Sequence, residues 1–157
     1  MISDENDACE LLDNDHIAVK HLFVEYARLA VSPAPPAKDD GRQALALKIC
    51  DELAVHAQIE EEIFYPALEE AVPEMAGLLE EARAEHQQAK DLIAQIQVLG
   101  AAGPDMDELV AQLNRAIEHH VKEERDDIFP KAKASSLDLR EIGEKLRSRQ
   151  EELEAAA

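Results

Sequence analysis

The sequence HAQIEEEIFYP, at residues 56–66, recurs in related form as HVKEERDDIFP at residues 120–130. Both copies have the pattern His-x3-Glu-x5-Pro, with an aromatic residue directly before the proline. A second pair of matching segments lies upstream, where DHIAVK at 15–20 and EHQQAK at 85–90 share the pattern acid-His-x3-Lys. The chain therefore contains an internal repeat, and each half supplies a single histidine followed by a His-x3-Glu pair.

Four stretches of the chain, at about residues 8–30, 40–70, 74–99 and 105–130, have the apolar period of amphipathic helices. Prolines and glycines separate these stretches, at SPAPP (32–36), Val72-Pro73 and GAAGP (100–104). The apolar face of each stretch also carries polar residues of the repeat. These residues are His16, His56, Glu60, His86, His120 and Glu124. Residues on the apolar face of a helix point into the core, so we expect all six side chains to be buried.

Short connections predict that consecutive helices are antiparallel neighbours. The expected fold class is all-α, an antiparallel up-down-up-down four-helix bundle over about residues 8–130. A short C-terminal helix is expected at about 137–155, and residues 1–157 are expected to form a single domain. With a rise of about 1.5 Å per residue, the six polar residues fall at a common level. The repeat is thus expected to form two helical hairpins related by a pseudo-twofold axis.

The spacing within each His-x3-Glu pair suits a metal site. Four steps of about 100° bring the imidazole and the carboxylate to one helix face, one turn apart. Two buried carboxylates without cations would be costly, and a pair of divalent cations removes that cost. Four imidazoles and two carboxylates suit iron, and also manganese, zinc or cobalt. We expect Glu60 and Glu124 to bridge the two metals. The remaining ligands are His16 and His56 on one metal, and His86 and His120 on the other.

The order of these residues resembles the pattern H…HxxxE…H…HxxxE of the hemerythrin family, particularly bacterial hemerythrin-like proteins with an HHE cation-binding domain. The resemblance covers roughly residues 10–130 and extends to DHxxxKxLF at 15–23 and to the residues after each His-x3-Glu pair. It implies a non-haem di-iron centre, with two iron ions and an oxo or hydroxo bridge. It also implies a small ligand such as O2, peroxide or nitric oxide.

The sequence departs from the oxygen carriers of that family at two positions. The carriers have a further histidine one turn after the helix-three ligand, where this chain has Lys90, and a His-x4-Asp where it has His120-x3-Glu124. The departure implies a more symmetric and more accessible metal pair. It weakens the expectation of reversible oxygen carriage and favours catalase-like decomposition of hydrogen peroxide, iron sensing, or a redox or nitric-oxide response. The alternative is a non-enzymatic sensor of iron, oxygen or nitric oxide, or an iron-binding module. No side chain is an evident proton donor.

The charge of the chain restricts its partners. With 35 acidic and 16 basic residues, its formal net charge is −19 at pH 7. Such a chain repels phosphate backbones and anionic lipids, so we expect neither nucleic-acid nor membrane binding, and the protein partner stays open. The first residues, MISDENDACE, do not resemble a signal peptide. We therefore expect a cytoplasmic protein, with Cys9 and Cys50 reduced.

Several other polar residues near the repeat have two interpretations. His119 is the main alternative to His120, because its distance to Glu124 matches the carrier spacing of five residues. The match with the first copy favours His120. Tyr65 could be an extra ligand or a radical trap, but core packing is the preferred interpretation. Four acidic residues beside the ligands and one further histidine are interpreted as solvated surface residues, although the first two acids could orient imidazoles. They are Asp15, Glu85, Glu61, Glu62 and His21.

Overall fold

The computed structural model describes residues 7–31 and 41–156, which contain helices and turns but no strand. The α-helices are α1 (Ala8–Ala30), α2 (Arg42–Ile59), α3 (Tyr65–Ala71), α4 (Ala76–Leu99), α5 (Pro104–Glu123), α6 (Phe129–Ala134) and α7 (Leu139–Ala156). The all-α class expected from the sequence is confirmed for these residues. The expected SPAPP linker at 32–36 lies outside the described residues.

Two π-helical segments occur at equivalent places in the repeat. Glu60–Phe64 joins α2 to α3, and Glu124–Ile128 joins α5 to α6. The backbone N–H of Tyr65 donates to the carbonyl of Glu60, and that of Phe129 donates to the carbonyl of Glu124. These bonds span five residues instead of four, so each aromatic residue lies one turn beyond its glutamate. The wider turns keep the helices continuous through Pro66 and Pro130, to Ala71 and Ala134.

The ends of the long helices follow from local sequence. Asp7 and Glu10 form a capping box that satisfies backbone N–H groups at the start of α1. Gly100, with φ of 74°, ends α4 in the left-handed conformation that glycine adopts without steric cost. Val72 leaves the helical conformation, and the 3-10 turn Pro73–Met75 leads into α4. The predicted breaks at 72–73 and 100–104 are therefore confirmed.

The long helices pack in a closed ring of contacts. Helix α1 packs against α2 and α5, and α4 packs against the same two helices, while α7 lies against α1 and α2. Two apolar clusters fill the interior, and α1 illustrates how they are divided. Leu12 belongs to the first cluster and Val19 to the second, with His16 between them. The polar residues of the repeat thus lie in a layer between two apolar layers.

Helix α7 completes the first apolar cluster through buried Ile142 and Leu146. The cysteines Cys9 and Cys50 are both buried and free, as expected. Burial raises the pKa of the Cys9 thiol to about 12 and that of Cys50 to about 11. Within the described residues, no helix combines the length and the apolar character needed to cross a lipid bilayer.

Candidate metal centre

The six polar residues that the repeat placed on apolar helix faces are all buried. The histidine residues are at most 8% exposed, and both glutamates are 0% exposed. We call the whole set the candidate metal centre. Its members are His16, His56, Glu60, His86, His120 and Glu124. They come from α1, α4 and the two helices that continue into the π segments, so four helices contribute and α7 does not.

The candidate metal centre consists of two adjoining groups of donor atoms. In each group, the nitrogen and oxygen atoms all lie within 4.8 Å of one another. The first group is His16, His56, Glu60 and Glu124, and the second is Glu60, His86 and His120. Glu60 belongs to both groups, and Glu124 Oε2 lies 3.4 Å from His120 Nε2. Both carboxylates therefore face both histidine pairs.

The distances between imidazole nitrogens fit metal ligation. Nε2 of His16 lies 3.2 Å from Nε2 of His56, and Nε2 of His86 lies 3.1 Å from Nε2 of His120. Two imidazole nitrogens bound at about 2.1 Å to one metal, at about a right angle, would be about 3 Å apart. The pairs found are the pairs expected from the sequence. The donor set thus suits one cation between each pair.

Each histidine of the centre is hydrogen-bonded to a carboxylate through Nδ1, the ring nitrogen that faces away from the centre. The ring N–H at Nδ1 donates to that carboxylate, which directs Nε2 toward the centre. The distances are 3.0 Å from His16 to Asp13, 3.0 Å from His56 to Asp15, 2.6 Å from His86 to Glu61 and 2.9 Å from His120 to Glu85. Metal-binding histidines have this arrangement, because the outer hydrogen bond fixes the tautomer and the orientation of the ring.

The solvated interpretation of Asp15, Glu85 and Glu61 is therefore wrong. Asp15, Glu85 and Glu61 each contact Nδ1 of a histidine on another helix. Asp13 contacts Nδ1 of His16 on its own helix. Asp13 was not singled out in the sequence. An acid one turn before a core histidine is the signal that could have found it, since residues three apart share a helix face.

Tyr65 lies inside the centre, so core packing does not describe its role fully. Its hydroxyl donates to Glu124 Oε2 at 2.6 Å and lies 3.1 Å from Glu60 Oε1. The same oxygen is 3.5 Å from His86 Nε2 and 3.4 Å from His120 Nε2. Burial raises the pKa of Tyr65, and the charges of Glu124 and Glu60 raise it further. The hydroxyl therefore keeps its proton and serves as a hydrogen-bond donor to the carboxylates, a role that the sequence did not reveal.

Two carboxylate oxygens of the centre lack hydrogen-bond partners among the described residues. They are Glu60 Oε2 and Glu124 Oε1, and both atoms are buried. Nε2 of His16 lies 3.0 Å from Glu124 Oε1, but the contact does not have hydrogen-bond geometry. A buried unpaired carboxylate oxygen is costly, and a cation removes that cost. These two oxygens show that the residues present fit bound metal ions.

Without a metal ion, protonated histidines offset the negative charge of the buried carboxylates. Burial lowers the pKa of His56, but the charges of Glu60 and Asp15 outweigh burial and raise it to about 10. Burial also raises the pKa of Glu60, but His56 and the other hydrogen-bonding groups hold it well below its usual value. Metal ligation requires neutral imidazoles, so a metal ion would displace these protons.

The other two histidines lie outside the centre. The side chain of His119 is 65% exposed, and its Nε2 lies 3.3 Å from carboxylates of both Glu85 and Glu123. His21 is exposed on α1, as expected. The structure therefore places His120, and not His119, in the interior with Glu124. Glu62 is a surface residue that contacts Arg149 of α7 at 2.8 Å.

The two halves of the repeat differ around the centre. The ring of Tyr65 stacks on His86, with centroids 5.5 Å apart, and that of Phe129 stacks on His16 at 6.1 Å. Only the first of these equivalent rings has a hydroxyl. A second difference concerns charge, since Glu61 in the first copy corresponds to Arg125 in the second, which contacts Asp13 at 2.7 Å.

A small cavity adjoins all four imidazoles of the centre. Its volume is about 30 Å³, and apolar side chains such as Val19, Leu53 and Ile93 line it together with the histidines. One water molecule needs about 10–15 Å³ of space measured in this way, so the cavity can hold a molecule of that size. The centre therefore has room beside it for a small ligand.

Comparisons with known proteins agree with this geometry. The family described as "Hemerythrin HHE cation binding domain" matches residues 7–132. The chain is 28% identical over 121 residues to the uncharacterized proteins Rv2633c of Mycobacterium tuberculosis and Mb2666c of Mycobacterium bovis, covering 75% of this chain and 73% of each relative. A crystal structure of a hemerythrin HHE cation-binding domain-containing protein, the Rv2633c homolog from Mycobacterium kansasii, is similar with a TM-score of 0.76 and 28% identity. That match covers 97% of this chain and 90% of the other. The chain therefore belongs to the hemerythrin HHE cation-binding domain family.

Proposed function

We propose that the candidate metal centre holds two iron ions and binds oxygen or a reduced oxygen species, with decomposition of hydrogen peroxide as the reaction. The observation that carries this proposal is the arrangement of the four imidazoles. The Nδ1 atom of each ring is hydrogen-bonded to an outer carboxylate, and the Nε2 atom points toward the two glutamates that the histidine pairs share. Iron accepts such a mixed nitrogen and oxygen donor set. A bound iron pair would supply Lewis acidity and redox electrons.

The fold that we propose for this centre is the antiparallel up-down-up-down four-helix bundle, with α7 as an additional helix. The ring of helix contacts supports it. The division of the apolar clusters supports it as well. The first cluster contains Leu12 before His16 on α1 but Ile59 after His56 on α2. This order is the one expected when neighbouring helices run in opposite directions.

Tyr65 positions the two glutamates and holds a proton between the two histidine pairs. Its hydroxyl contacts both carboxylates, and its raised pKa keeps the proton at Oη. The cavity beside the imidazoles is small and lined mainly by apolar side chains. A small ligand such as peroxide, oxygen or nitric oxide suits such a space. The cytoplasmic location stays a prediction.

Metal analysis and spectroscopy test the proposal. Protein loaded anaerobically with Fe²⁺ should bind about two irons that depend on the two donor groups of the centre, and should gain charge-transfer absorption on exposure to air. Oxygen evolution after addition of hydrogen peroxide tests the reaction separately from binding. Zinc and manganese also suit the donors, so each metal is measured in competition with iron.

His56→Ala and His21→Ala form a matched pair for this experiment. The first removes a donor of the centre, and the second removes an exposed histidine of α1. We expect His56→Ala to lose bound iron and the absorption, and His21→Ala to keep both. The iron assignment fails if wild type and His56→Ala contain equal iron. It also fails if wild type prefers zinc or manganese.

A non-enzymatic sensor is the second candidate, and the contacts of α7 favour it. Gln150 of α7 donates to Asp15 at 3.2 Å, and Asp15 accepts the Nδ1–H of His56. A change at His56 would therefore reach α7 through one shared carboxylate. The sensor hypothesis predicts negligible peroxide turnover, together with changed hydrogen exchange in Leu139–Ala156 when iron binds or is oxidised. Rapid turnover with unchanged exchange in α7 would exclude it.

A further inference from the structure

A second cluster of donor atoms lies on the outer surface, beside the candidate metal centre. It consists of Glu85 on α4 and of His119 and Glu123 on α5. Nε2 of His119 lies 3.3 Å from Glu85 Oε2 and 3.3 Å from Glu123 Oε2. The donor atoms of the three residues all lie within 4.8 Å of one another. We call these residues the outer cluster.

The outer cluster repeats the spacing of the inner ligands. His119 and Glu123 form a third His-x3-Glu pair, one residue before His120 and Glu124. A shift of one residue turns the pair by about 100°, so it faces outward while the inner pair faces the core. Glu85 joins the two sites, because its Oε1 accepts from His120 Nδ1 at 2.9 Å while its Oε2 faces His119.

The charge within the outer cluster favours a cation. The side chains of Glu85 and Glu123 are 13% and 21% exposed, so both carboxylates are largely withdrawn from water. Within the described residues, neither carboxylate forms an ion pair with a lysine or an arginine, and both face Nε2 of His119. Glu123 Oε1 is also buried and has no hydrogen-bond partner in the described part of the chain. An unpaired, buried carboxylate oxygen beside a histidine nitrogen is a vacant donor for a cation.

We infer that the outer cluster is a separate binding site for a divalent transition-metal ion, with Glu85, His119 and Glu123 as ligands. One imidazole nitrogen with two carboxylates suits Fe²⁺, Mn²⁺, Co²⁺ and Zn²⁺, and discriminates against Mg²⁺ and Ca²⁺, which prefer oxygen donors alone. The partly exposed His119 leaves the site open to ions from solution. The site shares Glu85 with His120 of the inner centre but does not require iron there.

Titration with Co²⁺, followed by native mass spectrometry, counts the bound ions. We expect His119→Ala and Glu123→Gln each to bind one Co²⁺ fewer per chain than wild type. His21→Ala is the matched control, because it removes an exposed histidine from the same protein without touching a donor group. It should retain the wild-type number of ions. Thermal unfolding of each metal-free variant verifies that the fold is intact.

The inner and outer sites are distinguished by a further variant. His56→Ala should lose Co²⁺ from the inner centre and keep the ion that depends on His119. If the inner centre does not bind metal, wild type will still bind the outer ion, and His119→Ala will abolish it. Equal Co²⁺ numbers in wild type and folded His119→Ala would overturn the inference. So would a loss of one ion in His21→Ala, because it would indicate diffuse attraction of cations to an acidic surface.

Discussion

Removing the hydroxyl of Tyr65 should destabilise the metal-free protein much more than the metal-bound protein. In the metal-free protein, this fully buried hydroxyl donates to Glu124 Oε2 at 2.6 Å and lies 3.1 Å from Glu60 Oε1. A hydroxyl has one proton, so the loss corresponds to one hydrogen bond to a charged group, about 1.5–3 kcal/mol. For a domain of this size, each kcal/mol shifts the melting temperature by about 2–4 °C. Tyr65→Phe should therefore lower it by about 3–12 °C.

Metal ions should reduce this loss, because they neutralise the carboxylates that the hydroxyl otherwise stabilises. The assay is thermal unfolding with chelator and with saturating Zn²⁺, which avoids redox chemistry. Tyr26→Phe is the matched control, since its hydroxyl donates to Asp107 at 2.7 Å. Tyr26 lies ten residues beyond His16 on α1, or about 15 Å along the helix. The loss in Tyr26→Phe should not depend on metal. A metal-independent loss in Tyr65→Phe would refute the reasoning.

Three further predictions test the carboxylate that orients His56, the protonation of His56 and the packing of α7 on the rest of the domain. Asp15→Asn should weaken iron binding by about 10–100-fold, because Asp15 orients His56 through Nδ1, whereas exposed Glu80→Gln should leave binding unchanged in a competition titration. The metal-free protein should lose stability as the pH rises from 6.5 to about 10, since the raised pKa of His56 makes its protonated form stabilising, and that contribution disappears through this interval. Thermal unfolding at stepped pH measures this, and rising stability would contradict it. Leu146→Ala should cost about 2–5 kcal/mol in one cooperative transition, because Leu146 is 0% exposed. A separate early transition of α7 would mean that residues 1–157 are not a single domain.

The sequence contains enough information to place the inner residues of the centre. The period of α1 predicts a buried His16 between Leu12 and Val19, and the structure has that order. The predicted stretch at 8–30 likewise agrees with Ala8–Ala30. Periodicity succeeds here because a helix buries one face, and any residue on that face is carried into the interior.

The role of Tyr65 could not be predicted from α-helical geometry. In an α-helix, a residue five positions after Glu60 is turned by about 140° from it. The π segment Glu60–Phe64 closes that angle, because the N–H of Tyr65 bonds to the carbonyl of Glu60. The aromatic residue before proline in both copies is the pattern that, with hindsight, indicates the π turns.

The preferred interpretation of Asp15 and Glu85 as solvated residues was wrong for a different physical reason, although the sequence left open that they orient imidazoles. Asp15 and Glu85 contact histidines on neighbouring helices, 41 and 35 residues away in the sequence. Such contacts depend on the rotation and spacing of packed helices, and sequence periodicity describes only one helix at a time. The repeat and the helical period identified the inner residues but not these contacts between helices.

The hydroxyl that distinguishes Tyr65 from Phe129 has a consequence for spectroscopy. If the centre holds the proposed iron pair, an exact duplication would give both irons the same surroundings, and a Mössbauer spectrum would then contain one quadrupole doublet. The phenol lies 3.5 Å from His86 and 3.4 Å from His120, while the equivalent ring beside His16 has no such group. The two nuclei should therefore experience different electric-field gradients and give two doublets. In Tyr65→Phe, the splittings of those doublets should converge.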